Sequence, residues 1–167
     1  MKKNNFSKGY SIIELVIYIS LFVLIAIVVI QSLLYSIKTY SNARAYRTIQ
    51  RNAETFLSRT TNEIRQAKNI SVSASTFSSS PGVLSLTGLD SSSSPYTATI
   101  SVASNVPQIS ISGATTSLSS SEVSVSELTF WNITTTSSDA VRIKLTLTTT
   151  RAPFITKTFY TTVVLRE

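Results

Sequence analysis

Residues 8–30 read KGYSIIELVIYISLFVLIAIVVI, a short polar start followed by a long apolar run. Residues 12–30 contain a single charged side chain, that of Glu14. Their number approaches the ~20 apolar residues that a helix needs to cross a bilayer. The sequence therefore predicts a membrane-spanning helix, residues 10–34, with one carboxylate just inside its beginning.

The position of Glu14 admits two interpretations. A charged side chain at the centre of a membrane helix costs about 2.5–3.5 kcal/mol on insertion scales, so such residues are usually kept for a function. Glu14 lies only two residues after Ile12, however, and its carboxylate could also extend to the membrane surface. The apolar segment alone leaves both interpretations open.

The chain has a net charge of +7, and this excess lies in its N-terminal third. Residues 1–69 hold ten Lys/Arg against three Glu, whereas residues 70–167 hold five of each sign. Lys2, Lys3 and Lys8 precede the apolar run, which predicts a cytoplasmic N-terminus and an exported C-terminal part. Orientation alone is one interpretation of these lysines.

The helical pattern continues beyond the apolar run, because no Gly or Pro occurs between Tyr10 and Ser80. Apolar residues recur at helical spacing and predict one buried stripe, formed by Ile49, Ala53, Phe56, Leu57, Ile64 and Ala67. We expect one helix over about residues 11–69, roughly 90 Å long at 1.5 Å per residue. Its amphipathic half is residues 35–69, with ion pairs Arg59–Glu63 and Arg51–Glu54 on the polar face.

The character of the chain changes at residue 70, where Ser and Thr become dominant. Apolar and polar residues alternate with a period of two in six segments, separated by Gly, Pro, Asn and Asp, which predicts antiparallel strands. These segments are residues 83–87, 97–102, 108–112, 123–131, 141–149 and 155–165. The last two should form a hairpin. The predicted fold class is α+β, a long N-terminal helix packed on a C-terminal antiparallel β domain, residues 70–167.

The composition excludes several kinds of site. The chain has no Cys and no His, so it can form no disulfide, no thiol nucleophile, no His-based acid–base pair and none of the usual zinc sites. Only eight Asp and Glu are present, and no Asp/Asn cluster has calcium-loop spacing. We therefore expect a non-enzymatic protein without a cofactor or a metal.

The basic leader, residues 1–9, followed by Gly9-Tyr10-Ser11-Ile12-Ile13-Glu14-Leu15 and an apolar helix, resembles the N-terminal motif of type IV pilins and type II secretion pseudopilins. The resemblance implies that a prepilin peptidase recognises Lys8 and Gly9 and cuts between Gly9 and Tyr10. It also implies that Tyr10, where the family more often has Phe, becomes a methylated N-terminus. Glu14 would then meet the Tyr10 amine of a neighbouring subunit and set the register of a filament.

A looser resemblance covers most of the chain. Residues 44–67, RAYRTIQRNAETFLSRTTNEIRQA, followed by strands and a final VVLR, resemble J-type minor pseudopilins and their minor pilin counterparts. This implies a minor subunit that initiates or caps a heteromeric filament, with the membrane, the peptidase and other subunits as partners and no small-molecule substrate. Type II secretion, type IV pilus and competence systems all remain open.

Other interpretations concern the polar surface and the β domain. Arg44, Arg47 and Arg51 are typical either of a nucleic-acid surface or of a solvated helix face; we expect the latter, because only Tyr46 is interleaved as an aromatic platform. Phe130 and Trp131 are expected in the sheet core. The alternative function is a membrane-anchored extracytoplasmic β domain that binds a carbohydrate or surface ligand. A secreted protein cut after 43–45 (ARA) would place its cleavage site within the helical pattern, far beyond the apolar run.

Overall fold

The computed structural model describes residues 11–89, 93–134 and 139–165. Lys2, Lys3, Lys8, Gly9 and Tyr10, on which the predictions of processing and orientation fall, lie outside the described residues. The chain divides into two compact units, Met1–Asn42 and Ala43–Glu167.

The first unit consists of the apolar half of one long helix, α1, Ile12–Gln66. Its large side chains are exposed, with 72% of Phe22 and 63% of Leu24 accessible. The most apolar window of α1 is long enough to cross a membrane, and none of it is buried within the protein. A water-soluble surface rarely carries contiguous apolar patches beyond a few hundred Å², so this helix requires an apolar environment outside the chain.

In the second unit, the other half of α1 buries the predicted stripe. Ile49, Ala53, Phe56 and Ile64 are at most 1% exposed, and Leu57 packs against the same core from a half-buried position. The spacing of these residues places them on one side of the helix. The prediction of an amphipathic second half is therefore confirmed.

The helix ends earlier than the sequence indicated. It stops at Gln66, and the predicted helical residues 67–69 instead belong to a strand, β1, Ala67–Ile70. In β1, Ala67 lies opposite Gly88 and Ile70 opposite Leu86. Ladder hydrogen bonds to that neighbouring strand replace the last turn that helical periodicity had predicted.

The remaining strands form two antiparallel sheets. A five-stranded sheet has the order β1-β2-β3-β4-β5, and a three-stranded sheet has the order β6-β7-β8. Their bounds are β2 Leu84–Leu89, β3 Pro95–Ala103, β4 Val106–Ile111, β5 Ala114–Ser117, β6 Val123–Thr134, β7 Asp139–Thr149 and β8 Thr156–Val164. A short 3₁₀ turn, Val72–Ala74, follows β1.

All six predicted strands are present, and β7 and β8 form the expected hairpin. Sequence reasoning missed β1 and β5, each of four residues. The sequence of β5, ATTS, is exposed throughout and has no apolar alternation to detect. The period-two pattern also did not predict the division into two sheets. Alternation shows that one face of a strand is buried, but it does not show which strands lie beside it.

One hydrophobic core joins α1 to both sheets within the second unit. It includes Phe56 of α1, Leu86 and Ile100 of the larger sheet, and Phe130 and Leu145 of the smaller one. The chain is therefore an α+β protein with a long N-terminal helix packed on antiparallel sheets. Phe56 and Phe130 are among the largest fully buried side chains.

We predict that Phe56→Ala destabilises the second unit by about 3–5 kcal/mol, because it removes a buried ring and leaves a cavity. Denaturant unfolding of the detergent-solubilised chain, followed by fluorescence of its single tryptophan, Trp131, measures the effect. Phe154→Ala is the matched control, since Phe154 is 74% exposed, and it should change stability by no more than about 0.5 kcal/mol. Equal effects of the two variants would contradict the assignment of the core.

Candidate functional site

Glu14 lies in the first turn of α1. The Ser11 carbonyl accepts hydrogen bonds from the backbone N–H groups of Glu14, at 3.0 Å, and Leu15, at 3.2 Å. Tyr18, one turn further along, lies with its hydroxyl 3.4 Å from Glu14 Oε1 and donates to it. Glu14 is partly shielded, whereas the residues on either side of it are exposed.

The spacing of Ser11 and Glu14 has a local consequence that sequence reasoning missed. Ser11 directly precedes the helix and Glu14 follows three residues later, which is the spacing of a capping box. A carboxylate in the first turn also interacts favourably with the helix dipole, by about 0.3–1 kcal/mol. This spacing fits a helix-starting role for Glu14 that does not require a second subunit, and any test of its function must separate the two.

The surroundings of Glu14 make its charge unusual. It is the only charged residue between positions 11 and 37. Ile12 is 84% exposed, Ile13 69% and Leu15 55%, so the carboxylate lies on a surface that is otherwise apolar. When that surface is covered by lipid or protein, the carboxylate loses water and must pair with a positive group, take up a proton or reach the hydrated membrane surface.

The polar side of the second half of α1 follows the predictions in part. Arg44, Arg47 and Arg51 are exposed. Arg59 Nη2 lies 3.0 Å from Glu63 Oε1, which confirms that ion pair. The prediction that Arg51 pairs with Glu54 was wrong, because the ion pairs of the described residues do not include it. Glu54 Oε1 instead accepts a hydrogen bond from Gln50 Nε2 at 3.2 Å.

Glu63 is the carboxylate of α1 that the β domain covers. Only 5% of Glu63 is exposed, and the exposed Arg59 supplies its counter-charge. Burial, together with the negative charge of Glu63, raises the pKa of Tyr96 on β3. Tyr96 therefore remains a neutral phenol, and this cluster is an anchor between helix and sheet.

The outward face of the three-stranded sheet carries an aromatic stack. The guanidinium carbon of Arg142 lies 5.9 Å from the ring centre of Trp131 and 5.6 Å from that of Tyr160. Phe130 is fully buried as predicted, but Trp131 is only half-buried, so its prediction as a core residue was wrong. Alternate residues of a strand point to opposite faces, and Trp131 therefore lies on the face opposite Phe130.

The same face holds the second ion pair. Lys144 Nζ donates to Glu127 Oε1 at 2.7 Å, and this hydrogen bond raises the pKa of Lys144. Arg142 has no carboxylate within ion-pair distance among the residues that the structure describes. Its contacts are instead cation–π contacts, which leave the edge of the guanidinium free to donate.

A pocket of about 320 Å³ lies where the β3–β4 turn approaches β6. Its lining includes Asn105, Ser126 and Glu127. The Glu127 carboxylate is already engaged by Lys144, and the Asn105 side chain donates to the Val125 carbonyl at 3.2 Å. In the described ranges, no three His, Cys, Asp or Glu residues lie together as a metal site.

No family model, curated protein or solved structure matches this chain.

The exposed apolar half of α1 yields a prediction. Leu24→Arg should weaken membrane integration, since arginine at the centre of a membrane helix costs about 2.5–3.5 kcal/mol on insertion scales. Alkaline extraction of membranes should release more of the variant than of the unchanged protein. Tyr40→Arg, on the same helix and 72% exposed, is the control and should stay with the membrane. Retention of both variants would contradict a membrane position for residues 12–34.

Proposed function

We propose that this protein is a structural minor subunit of a filament of the type IV pilin and type II secretion pseudopilin class. On this proposal it is first a single-pass protein of the cytoplasmic membrane, with its N-terminus in the cytoplasm and its β domain on the extracytoplasmic side. A prepilin peptidase removes residues 1–9, and the subunit then enters a heteromeric filament at its initiation or tip. The function is structural, and no catalytic group is required.

The observation that carries the proposal is the isolation of Glu14. One carboxylate lies in the first turn of a helix whose next charged residue is Lys38. The surrounding side chains are exposed and apolar. A membrane anchor needs this carboxylate at most to start its helix, whereas a helix that must pack against copies in one fixed register needs its charge.

The chemistry of the partner follows from the proposed cut. Cleavage after Gly9 leaves the Tyr10 nitrogen as an amine, which stays protonated and positive whether or not it carries a methyl group. A buried carboxylate and a buried ammonium each require the other, because either one alone is strongly penalised. When parallel helices stack with an axial offset, Glu14 of one subunit can meet the Tyr10 amine of the next.

The rest of the helix supports the same function. Its exposed apolar side chains fit either lipid or a bundle of equivalent helices. Packing of one subunit on the next through two different surfaces produces an open filament and not a closed ring. The second unit then contributes the part that emerges from the helical core, the β domain.

The test compares two substitutions of Glu14. Glu14→Gln keeps the capping box, which accepts Gln as well as Glu, but removes the charge. Loss of one partner from a buried ion pair costs about 3–5 kcal/mol, a fall of at least about a hundredfold in association. We expect both Glu14→Gln and Glu14→Ala to be processed normally and to be missing from sheared filaments when assayed by immunoblot.

Glu54→Gln is the matched control, since it makes the same chemical change on an exposed residue of the same helix. This variant should enter filaments like the unchanged protein. If Glu14→Gln assembles normally and only Glu14→Ala fails, Glu14 is a capping residue and the register argument is refuted.

A second candidate function is a membrane-anchored β domain that binds a carbohydrate or surface ligand. It is favoured by the outward stack of Trp131, Arg142 and Tyr160, because aromatic rings and a free guanidinium are common in recognition surfaces. Arg142→Ala would abolish ligand binding on this alternative and leave filament entry unchanged on the first proposal. The anchored binder also predicts that Glu14→Gln has no phenotype.

A further inference from the structure

The two sheets have four edges, and in the described part of the chain three of them are short or covered. The edge strands β1 and β5 have four residues each, and very short edge strands are one way that proteins avoid unwanted pairing. The third edge, that of β6, is long but covered.

Segment 78–82 covers the β6 edge. Ser78 N–H donates to the Phe130 carbonyl at 2.9 Å and Gly82 N–H to the Leu128 carbonyl at 2.8 Å. The Ser80 hydroxyl accepts from Leu128 N–H at 3.3 Å. Gly82 permits this close approach, because a Cβ there would lie 3.0 Å from Phe130 Cδ2 and 3.1 Å from the Leu128 carbonyl oxygen.

The fourth edge, β8, is open. Thr149 N–H donates to the Ile155 carbonyl and Leu165 N–H to the Asp139 carbonyl, so the odd-numbered residues of β8 make the bonds to β7. The even-numbered residues therefore direct their N–H and C=O groups away from the sheet. These residues are Thr156, Thr158, Tyr160, Thr162 and Val164, all exposed. Within the described residues, no backbone hydrogen bond reaches them from outside the sheet.

The side chains of β8 do not protect this edge. Its nine residues, TKTFYTTVV, are mostly β-branched or aromatic, contain no Pro and carry one charge. That charge, Lys157, lies 4.6 Å from the ring centre of Tyr46 on α1. A long and uncovered edge strand whose single charge contacts a ring of its own chain is a ready template for another strand.

We propose that β8 pairs with β8 of a second copy of this chain, antiparallel and across a two-fold axis at Tyr160. Tyr160 is the middle residue of the nine, so this register alone pairs the whole strand with itself. Thr158 then faces Thr162 of the copy, and Thr156 faces its Val164. The result is a continuous six-stranded sheet formed by the two three-stranded sheets.

Charge and symmetry favour a copy over an unrelated strand. In this register Lys157 faces Val163 of the copy, so the single charge of the strand never meets itself. Tyr160 meets its own equivalent, and aromatic pairs opposite each other on neighbouring strands stabilise the pairing. An interface in which the same surface occurs on both partners is the usual arrangement of a two-fold dimer.

The absence of Cys from the chain allows a test by disulfide mapping in membranes. Facing residues in a hydrogen-bonded pair have Cα atoms about 5.5 Å apart, within the disulfide range of about 4.4–6.8 Å. The full-length double variant Thr158→Cys, Thr162→Cys should give a crosslinked dimer on mild oxidation. Each single variant should not, because its equivalent residues lie about 14 Å apart along the strand. Mixing the two single variants should restore the crosslink.

A spacing-matched control is Thr97→Cys, Ser101→Cys on β3, which already has neighbours on both sides. It should not crosslink. Tyr160→Lys, added to the crosslinking pair, places like charges directly opposite each other and should reduce the dimer to the level of the single variants. Tyr160→Phe should leave it unchanged.

Three results would overturn the proposal. They are no dimer from the double variant, a dimer from Thr158→Cys alone at the same yield, or a crosslinked product whose mass is that of a different protein. The pairing does not use Glu14, so Glu14→Gln added to the Thr158→Cys, Thr162→Cys variant should crosslink as that variant does. Failure of the dimer and failure of the proposed filament function are therefore separate outcomes.

Discussion

The rest of the protein depends on the constraint that one carboxylate places on an apolar helix. Between positions 11 and 37 only Glu14 is charged, and no other part of the described chain covers the apolar side chains around it. Any lipid or protein surface that covers Ile12 or Leu15 also removes water from Glu14. The carboxylate must then meet a positive partner, take up a proton or lie close enough to the membrane surface to remain hydrated.

In the second half of the same helix, by contrast, the apolar stripe is buried against other residues of the same chain. Ile49, Phe56 and Ile64 lie in one core with both sheets, and the buried Glu63 has Arg59 as its counter-charge. The apolar side chains in the first half of this helix therefore need contacts from outside the chain. Those in the second half already pack against the β domain. The proposed subunit uses this difference, since the β domain keeps its own core whether the first half is covered by lipid or by other helices.

Helical periodicity and period-two alternation were enough to predict α1, its buried stripe and six strands, because each of these elements buries one regular face. The sequence patterns did not predict features of the fold that burial of one regular face does not determine. Ala67 continues the apolar stripe but pairs with Gly88, and β5 has no buried face. Trp131 was assigned to the core from its residue type, whereas its place on the outer face is set by Phe130 next to it. The capping-box spacing of Ser11 and Glu14 was visible in the sequence and was overlooked.

On the proposed function, Glu14 acts together with a new N-terminus at Tyr10, and the mass of the N-terminal peptide of the membrane-extracted protein reports that N-terminus. We expect a peptide that begins at Tyr10 and carries one added methyl group. A peptide that begins at Met1, or one that begins beyond the apolar segment, would refute the pairing, because no amine would then lie at the position that Glu14 requires.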